Sequence, residues 1–139
     1  MKEYPQARER AEVLPVASSA DVVTARQAVR AQAQRAGLSL IHQTKLVTAA
    51  SELGRNMVVY GGGGTVSVAT FEEGSRHAVW VEFRDEGPGI PDLGLALTDG
   101  WTSGNGMGLG LSGARRLVDE FSLESSSVGT TVRIVKWGR

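Results

Sequence analysis

Asp85-Glu86-Gly87-Pro88-Gly89-Ile90 follows directly on the alternating run Val79, Val81, Phe83. The run reads as a strand, so Asp85 stands at a strand end with glycines behind it. That combination has two readings. It is a turn, because Asp and Gly suit turns, or it is a carboxylate at a pocket mouth with backbone free to approach a ligand. An ionised carboxylate facing an exocyclic amine such as adenine N6–H₂ gains about 1.5–3 kcal/mol, and it repels phosphate. In the second reading Asp85 marks the base end of a nucleotide.

Upstream, Leu46, Ala49, Ala50, Leu53 and Met57 recur at helical spacing and predict a helix over about 40–60. Glu52 and Asn56 lie one turn apart at the margin of that stripe. They are either ordinary helix surface or a proton-accepting carboxylate beside an amide oxygen able to ligate a hard cation such as Mg²⁺. Downstream, Gly104-Asn105-Gly106-Met107-Gly108-Leu109-Gly110-Leu111 opens a helix predicted over Gly108–Glu120. Each glycine costs such a helix about 1 kcal/mol against alanine. Backbone N–H groups at a glycine-rich helix start form a phosphate site, which would offset that cost; the alternative is a flexible loop.

The remaining elements follow from the same patterns. Residues 1–12 are polar and predict a loose N-terminal arm. Val13–Ala17 reads as an edge strand, since Pro15 is tolerable only at an edge. Asp21 predicts the N-cap of a helix reaching Ala36, with Gly37 as its stop. Val66, Val68 and Thr70 form a strand face, and Glu72–His77 a hairpin loop. Final strands are expected near Phe121–Ser125 and Thr130–Trp137. The pattern gives one domain over 13–139, an α/β two-layer sandwich with a mixed, mostly antiparallel sheet and helices on one face.

Composition narrows the chemistry. The chain has 139 residues, with 15 basic and 15 acidic side chains, and that balance argues against a nucleic-acid partner. It has no cysteine, which removes thiolate chemistry, and only His42 and His77 as histidines. No apolar run is long enough for a membrane span and no secretory leader is evident, so a cytoplasmic protein is expected. The 18 glycines cluster at Gly61–Gly64, around Gly87 and Gly89, and over Gly104–Gly110, as loops that approach something closely would require.

Rival glycine motifs fail on context. Gly108-Leu109-Gly110-Leu111-Ser112-Gly113 fits the dinucleotide pattern but lacks a strand leading into it and an acid at the expected distance. A Walker loop needs Gly-Lys-Ser/Thr, and the lysines are Lys2, Lys45 and Lys136. The eukaryotic protein-kinase set is missing as well.

Taken in order, Glu52-x-x-x-Asn56, Asp85-x-Gly87-x-Gly89, the glycine series and Gly129-Thr130 resemble the N box and two glycine boxes of the GHKL (Bergerat-fold) ATPases, the superfamily of gyrase B, histidine kinases and MutL. Ser51-Glu52-Leu53-Gly54-Arg55-Asn56, Leu117–Leu123 and Ile134–Trp137 look most like its anti-sigma-factor serine/threonine kinases of the stressosome-switch type. The resemblance spans about 13–139. It implies ATP and Mg²⁺ as cofactors, with Glu52 as general base and Asn56 on Mg²⁺. Asp85 would hold the adenine amino group, with Gly89 at the adenine wall, Gly87 among the nucleotide-binding residues and Thr130 holding a bridging water. Gly104, Gly106, Gly108 and Gly110 would cradle the phosphates, under a lid over Pro91–Ser103 that contains Trp101. Arg55 faces another way as an exposed arginine or lies near a partner or the γ-phosphate. The implied partners are STAS-domain antagonist proteins as substrates, a PP2C-type phosphatase, or a sigma factor. A binding module without phosphoryl transfer is the further alternative, and an intact Glu52 counts against it.

Overall fold

A computed structural model describes residues 2–89 and 111–138. In chain order its elements are α1 (Pro5–Arg10), β1 (Glu12–Val16), α2 (Ser19–Arg35), α3 (Leu40–Val59), β2 (Gly64–Glu73), β3 (Arg76–Asp85), α4 (Leu111–Leu117), β4 (Glu120–Ser126) and β5 (Gly129–Trp137). The five strands form one sheet in the order β1-β2-β3-β5-β4. All of its pairings among the described residues are antiparallel, in keeping with the mostly antiparallel sheet expected.

Both long helices start on serine caps. Ser39 Oγ accepts from the His42 N–H and caps α3. For α2 the cap is Ser18, not Asp21. Ser18 Oγ accepts from the Asp21 N–H while Asp21 Oδ2 accepts from the Ala17 N–H, a reciprocal arrangement that starts the helix at Ser19. Gly37 ends α2 with φ +76°. The β2–β3 turn is tighter than the pattern suggested: pairing continues to Glu73↔Arg76, leaving Gly74 (φ +64°) and Ser75 as the connection. Helix α4 stops at Leu117, short of Glu120, because Asp119 turns to the sheet. Its N–H donates to Val135 O and its carboxylate accepts from the Trp137 N–H.

The apolar stripes of α2 (Val22, Ala25, Val29, Ala33) and α3 are their buried faces. They cover Val66, Val68, Val79, Val81 and Phe83 of the central strands, with Ile134 of β5. The strand residues between these face the other way, and there the N-terminal segment departs from the expected loose arm. It is helical and docked: Tyr4 and Ala7 are buried against Ala69, Phe71, Ala78, Trp80 and Val135. So α2, α3 and α4 share one face as expected, and α1 covers part of the other. Tyr4 OH and Trp137 Nε1 both donate to Glu120 Oε2, at 2.7 and 2.8 Å. Burial, followed by that bond to Glu120, drives the Tyr4 phenol well above its ordinary range.

Glu82 of β3 points to the same side and is buried. An isolated carboxylate there would be costly, and Arg8 and Arg133 neutralise it at 3.0 and 2.7 Å. Burial pushes its pKa upward, but the hydrogen bonds from Arg8 and Arg133 outweigh that and hold it below the usual carboxylate range. Arg8, which also lies over the Trp80 ring at 5.2 Å, thereby ties α1 to the sheet.

Candidate nucleotide site

At one end of the sheet the last turn of α3, the end of β3, the start of β5 and the first residue of α4 converge on a cleft. Asn56, Asp85, Gly89 and Thr130, distant in sequence, all line it, with Leu53, Tyr60 and Leu111 among its apolar walls. The convergence follows from register. Antiparallel pairing sets Asp85 opposite Thr130 on one side and Gly64 on the other, while Gly61 N–H and Gly63 N–H both donate to Met57 O and turn the chain from α3 into β2.

Asp85 is fixed by backbone donors. Its Oδ1 accepts from the Gly87 N–H at 2.9 Å and the Thr130 N–H at 3.3 Å, leaving Oδ2 on the side of Gly61. Gly87 thus acts by orienting the carboxylate rather than by lining the cleft. Thr130 is fixed in turn, its Oγ1 lying 2.9 Å from Ser125 Oγ. A carboxylate held this way against apolar walls is an acceptor suited to an amine on a flat ring.

The Gly61–Gly64 run, whose purpose the sequence left open, has a steric reason at three positions. A Cβ on Gly61 would lie 2.5 Å from the Asp85 carboxylate, and one on Gly63 (φ +96°) would press on Val16 O. A Cβ on Gly64 would collide with Arg84 O across the β2–β3 pairing. Gly62 has open space around it and takes φ +76°, where its need is conformational. Sequence reading did not single out Tyr60 and Gly61 as site residues, nor the apolar lining of Leu53, Met57, Phe83, Leu111 and Val132. The glycine density was a visible signal for Gly61; nothing in the sequence marked Tyr60.

Glu52 is on the same side of α3 as Asn56 but does not line the cleft. Arg55 does not face away from Glu52: Arg55 Nη1 lies 3.7 Å from Glu52 Oε2, a loose and half-exposed pair. Such pairs contribute only a few tenths of a kcal/mol, about 0.3–0.5, so Glu52 is not locked by it. Gly104, Gly106, Gly108 and Gly110, together with the expected lid over Pro91–Ser103 and Trp101, lie outside the described residues. Leu111, where description resumes, is a wall of the cleft.

The fit of a nucleotide and of a cation can each be judged from these walls. The free space in the cleft is about 50 Å³, whereas pockets for drug-sized ligands begin near ~300 Å³. Asp85 also borders more open concavities of about 390 and 420 Å³, so the enclosed part of the cleft is only a portion of the space around its carboxylate. As for a cation, no three or more His, Asp or Glu residues cluster as ligands among the described residues. A hard ion on Asn56 would complete its shell with phosphate oxygens and water, the coordination that Mg²⁺ favours.

An α/β sandwich whose cleft lies between a helix end and a carboxylate at a strand end defines a class of nucleotide-binding ATPase domains. The chain belongs to that class as a member of the histidine kinase-like ATPase domain family, whose model matches residues 16–136. It is 38% identical over 120 residues, 86% of this chain and 90% of the other, to the serine/threonine-protein kinase RsbT of Bacillus subtilis. It is also 33% identical over 102 residues to an anti-sigma F factor of Bacillus licheniformis, covering 67% of this chain and 68% of that one. Among solved structures, the RsbU and RsbW domains of Rv1364c from Mycobacterium tuberculosis superpose with a TM-score of 0.64 at 22% identity, over 93% of this chain and a third (33%) of that one. The catalytic domain of the histidine kinase ThkA gives 0.53 at 14% identity, over 90% and 95% of the two chains. These two likenesses speak to the fold. No helix among the described residues is long and apolar enough to cross a membrane.

Proposed function

We propose that the protein is an ATP-dependent serine/threonine protein kinase of a partner-switching pathway. The observation that carries the reading is the meeting of Asn56, Asp85, Gly89 and Thr130 around one cleft. The family match and the similarity to a chain named serine/threonine-protein kinase support it.

In this reading Asp85 Oδ2 accepts from the adenine amino group, Thr130 orders a water beside it, and Gly89 lets the backbone approach the ring. Asn56 holds Mg²⁺, which supplies neutralisation of phosphate charge. The amides of Gly104, Gly106, Gly108 and Gly110 receive the phosphates. Glu52, at the outer end of the Asn56 turn, takes the proton of a substrate hydroxyl as its oxygen bonds to the γ-phosphorus and the bond to ADP breaks. Phosphoryl transfer asks mainly for positioning and charge neutralisation, so this small set suffices.

The substrate class is a STAS-domain antagonist protein, and a PP2C-type phosphatase is a second partner. The similarity to an anti-sigma F factor favours one alternative, sequestration of a sigma subunit with phosphorylation of its antagonist. Incubation with Mg·ATP and a STAS-domain protein tests the reading. Phosphate on a serine or threonine of that protein is expected; ATP binding with no transfer to any such partner would reduce the protein to a nucleotide-gated binding module.

A further inference from the structure

The elements that build the cleft also build a second concavity at their opposite ends. The first turns of α3, the turn after α4, the start of β3 and the end of β5 enclose a groove of about 660 Å³. β3 runs from Arg76 at the groove to Asp85 at the cleft. At about 3.3 Å per residue that strand sets Arg76 and Asp85 roughly 30 Å apart, while Leu111 of the cleft and Arg116 of the groove are about 8 Å apart along α4.

The groove is cationic in a protein whose formal charge is zero. Lys45, Arg76, Arg116 and Lys136 line it, against Asp119 as the acid among the described lining residues. Two of these cations are held in place by the fold: Lys136 Nζ lies 3.5 Å from Asp119 Oδ1, and the Arg76 guanidinium lies 4.3 Å from the Trp137 ring centre. Asp119 also accepts the Trp137 N–H, and its single charge faces four cations among the described lining residues. Val118 and Trp137 add apolar surface to the lining. Beside the groove, Leu40 and Ile41 are 72% and 68% exposed, and Ile41 is one helical turn from Lys45. These two side chains extend the apolar surface available next to the groove.

We propose that this groove docks an acidic, leucine-rich segment of a partner protein, its carboxylates on the Lys45–Arg76–Arg116 cations and its apolar residues on Val118, Trp137 and the Leu40–Ile41 turn. A polyanion such as a nucleic acid would use the cations and leave the apolar surface idle, so the combination selects a protein. The described linings of the groove and of the cleft share no residue, and the inference does not depend on the kinase reading.

A fluorescein-labelled amphipathic peptide, glutamates along one side and leucines along the other, tests it by anisotropy on the full-length protein. Polyglutamate of equal charge, inorganic polyphosphate and phosphatidylserine vesicles serve as comparisons. The amphipathic peptide should bind more tightly than all three. Lys45→Glu with Arg116→Glu should weaken it by roughly tenfold or more, and the milder Lys45→Gln with Arg116→Gln by less, both with an unchanged circular dichroism spectrum. Asp85→Asn should leave peptide binding unaltered. Equal or tighter binding of polyglutamate, polyphosphate or vesicles, or indifference to charge reversal, would overturn the proposal.

Discussion

Gly61 lies against Asp85 so closely that any side chain at position 61 would occupy the space of the carboxylate, 2.5 Å from its carbon. The end of the long helix and the end of the central strand are therefore fitted to one another at the point where the cleft forms. Because Gly61 does not sit in the left-handed region, alanine there strains no dihedral and acts through the collision alone. Gly61→Ala should leave the fold intact and weaken ATP binding by about 10–100-fold, the equivalent of one charge-assisted hydrogen bond. Calorimetric titration with Mg·ATP checks it, and unchanged affinity would show that the Asp85 position is not what the cleft depends on.

The neighbouring glycine should behave in the opposite way. Gly62 has φ +76° and open surroundings, so Gly62→Ala meets no atom but forces a left-handed alanine at about 1–2 kcal/mol. Its melting temperature should fall by several degrees, roughly 3–8 °C, while nucleotide affinity stays as in the parent. A pair of melting curves and titrations on the two variants separates steric from conformational need.

Much of this was legible in the sequence, and the exceptions have physical causes. The stripes Val22–Ala33 and Leu46–Met57 are the buried faces of α2 and α3 because helical period alone dictates which side meets the sheet. Asp85 and Asn56 could be picked out before any coordinates because their residue types and places carry chemistry, and Gly89 and Thr130 joined them through the order of motifs that resembles a known ATPase family. The docking of α1 could not be read. Residues 1–12 look polar, yet Tyr4, Ala7 and Arg8 find partners on β2, β3 and β4 that are remote in sequence, with Glu82 as the buried anion that calls for Arg8. Period-based reading also missed that β3 is buried on both faces, which is why its run from Ala78 to Phe83 contains a buried Trp80 and Glu82 among the valines.

If the N-terminal segment belongs to the folded domain, its anchor must matter for stability. Tyr4 is buried and its ring centre lies 4.5 Å from that of Phe71. Tyr4→Ala should cost about 3–5 kcal/mol, as for other large aromatic truncations. Tyr4→Phe keeps the ring and loses only the bond to Glu120, at about 1 kcal/mol. Urea denaturation of both variants decides; equal stability of Tyr4→Ala and the parent would return the segment to a loose arm.

The Glu82 cluster sets an acid limit. Its carboxyl has a folded pKa below its unfolded value, held there by Arg8 and Arg133 against the opposing effect of burial. The stabilisation from the ionised form is therefore complete above the ordinary value of 4.5 and is lost as pH falls through the lower, folded pKa. Glu82→Gln should be less stable than the parent at pH 7 and should lose less on acidification below pH 4.5. Melting temperatures measured from neutral to strongly acidic pH test this, and parallel curves for the two proteins would exclude Glu82 as the titrating group.

Proton acceptance by Glu52 and nucleotide binding should separate. Glu52 lies on the Asn56 side of α3 but outside the cleft lining, so Glu52→Ala should bind Mg·ATP as the parent does. Transfer to a STAS-domain substrate should slow by roughly 10²–10⁴-fold, the usual share of a general base. Loss of binding in this variant would instead make Glu52 part of the pocket wall.

The most direct measurement is calorimetric titration of Mg·ATP into the parent protein and Asp85→Asn. The substituted side chain would offer an amide NH₂ or a neutral oxygen where Oδ2 now accepts, with Gly87 and Thr130 still in place. Saturable binding by the parent and its loss in the variant, with both proteins giving the same circular dichroism spectrum, is the predicted result. Binding of equal affinity by the two proteins would mean that no purine amine rests on this carboxylate, and the cleft between α3 and β3 would not be the nucleotide site.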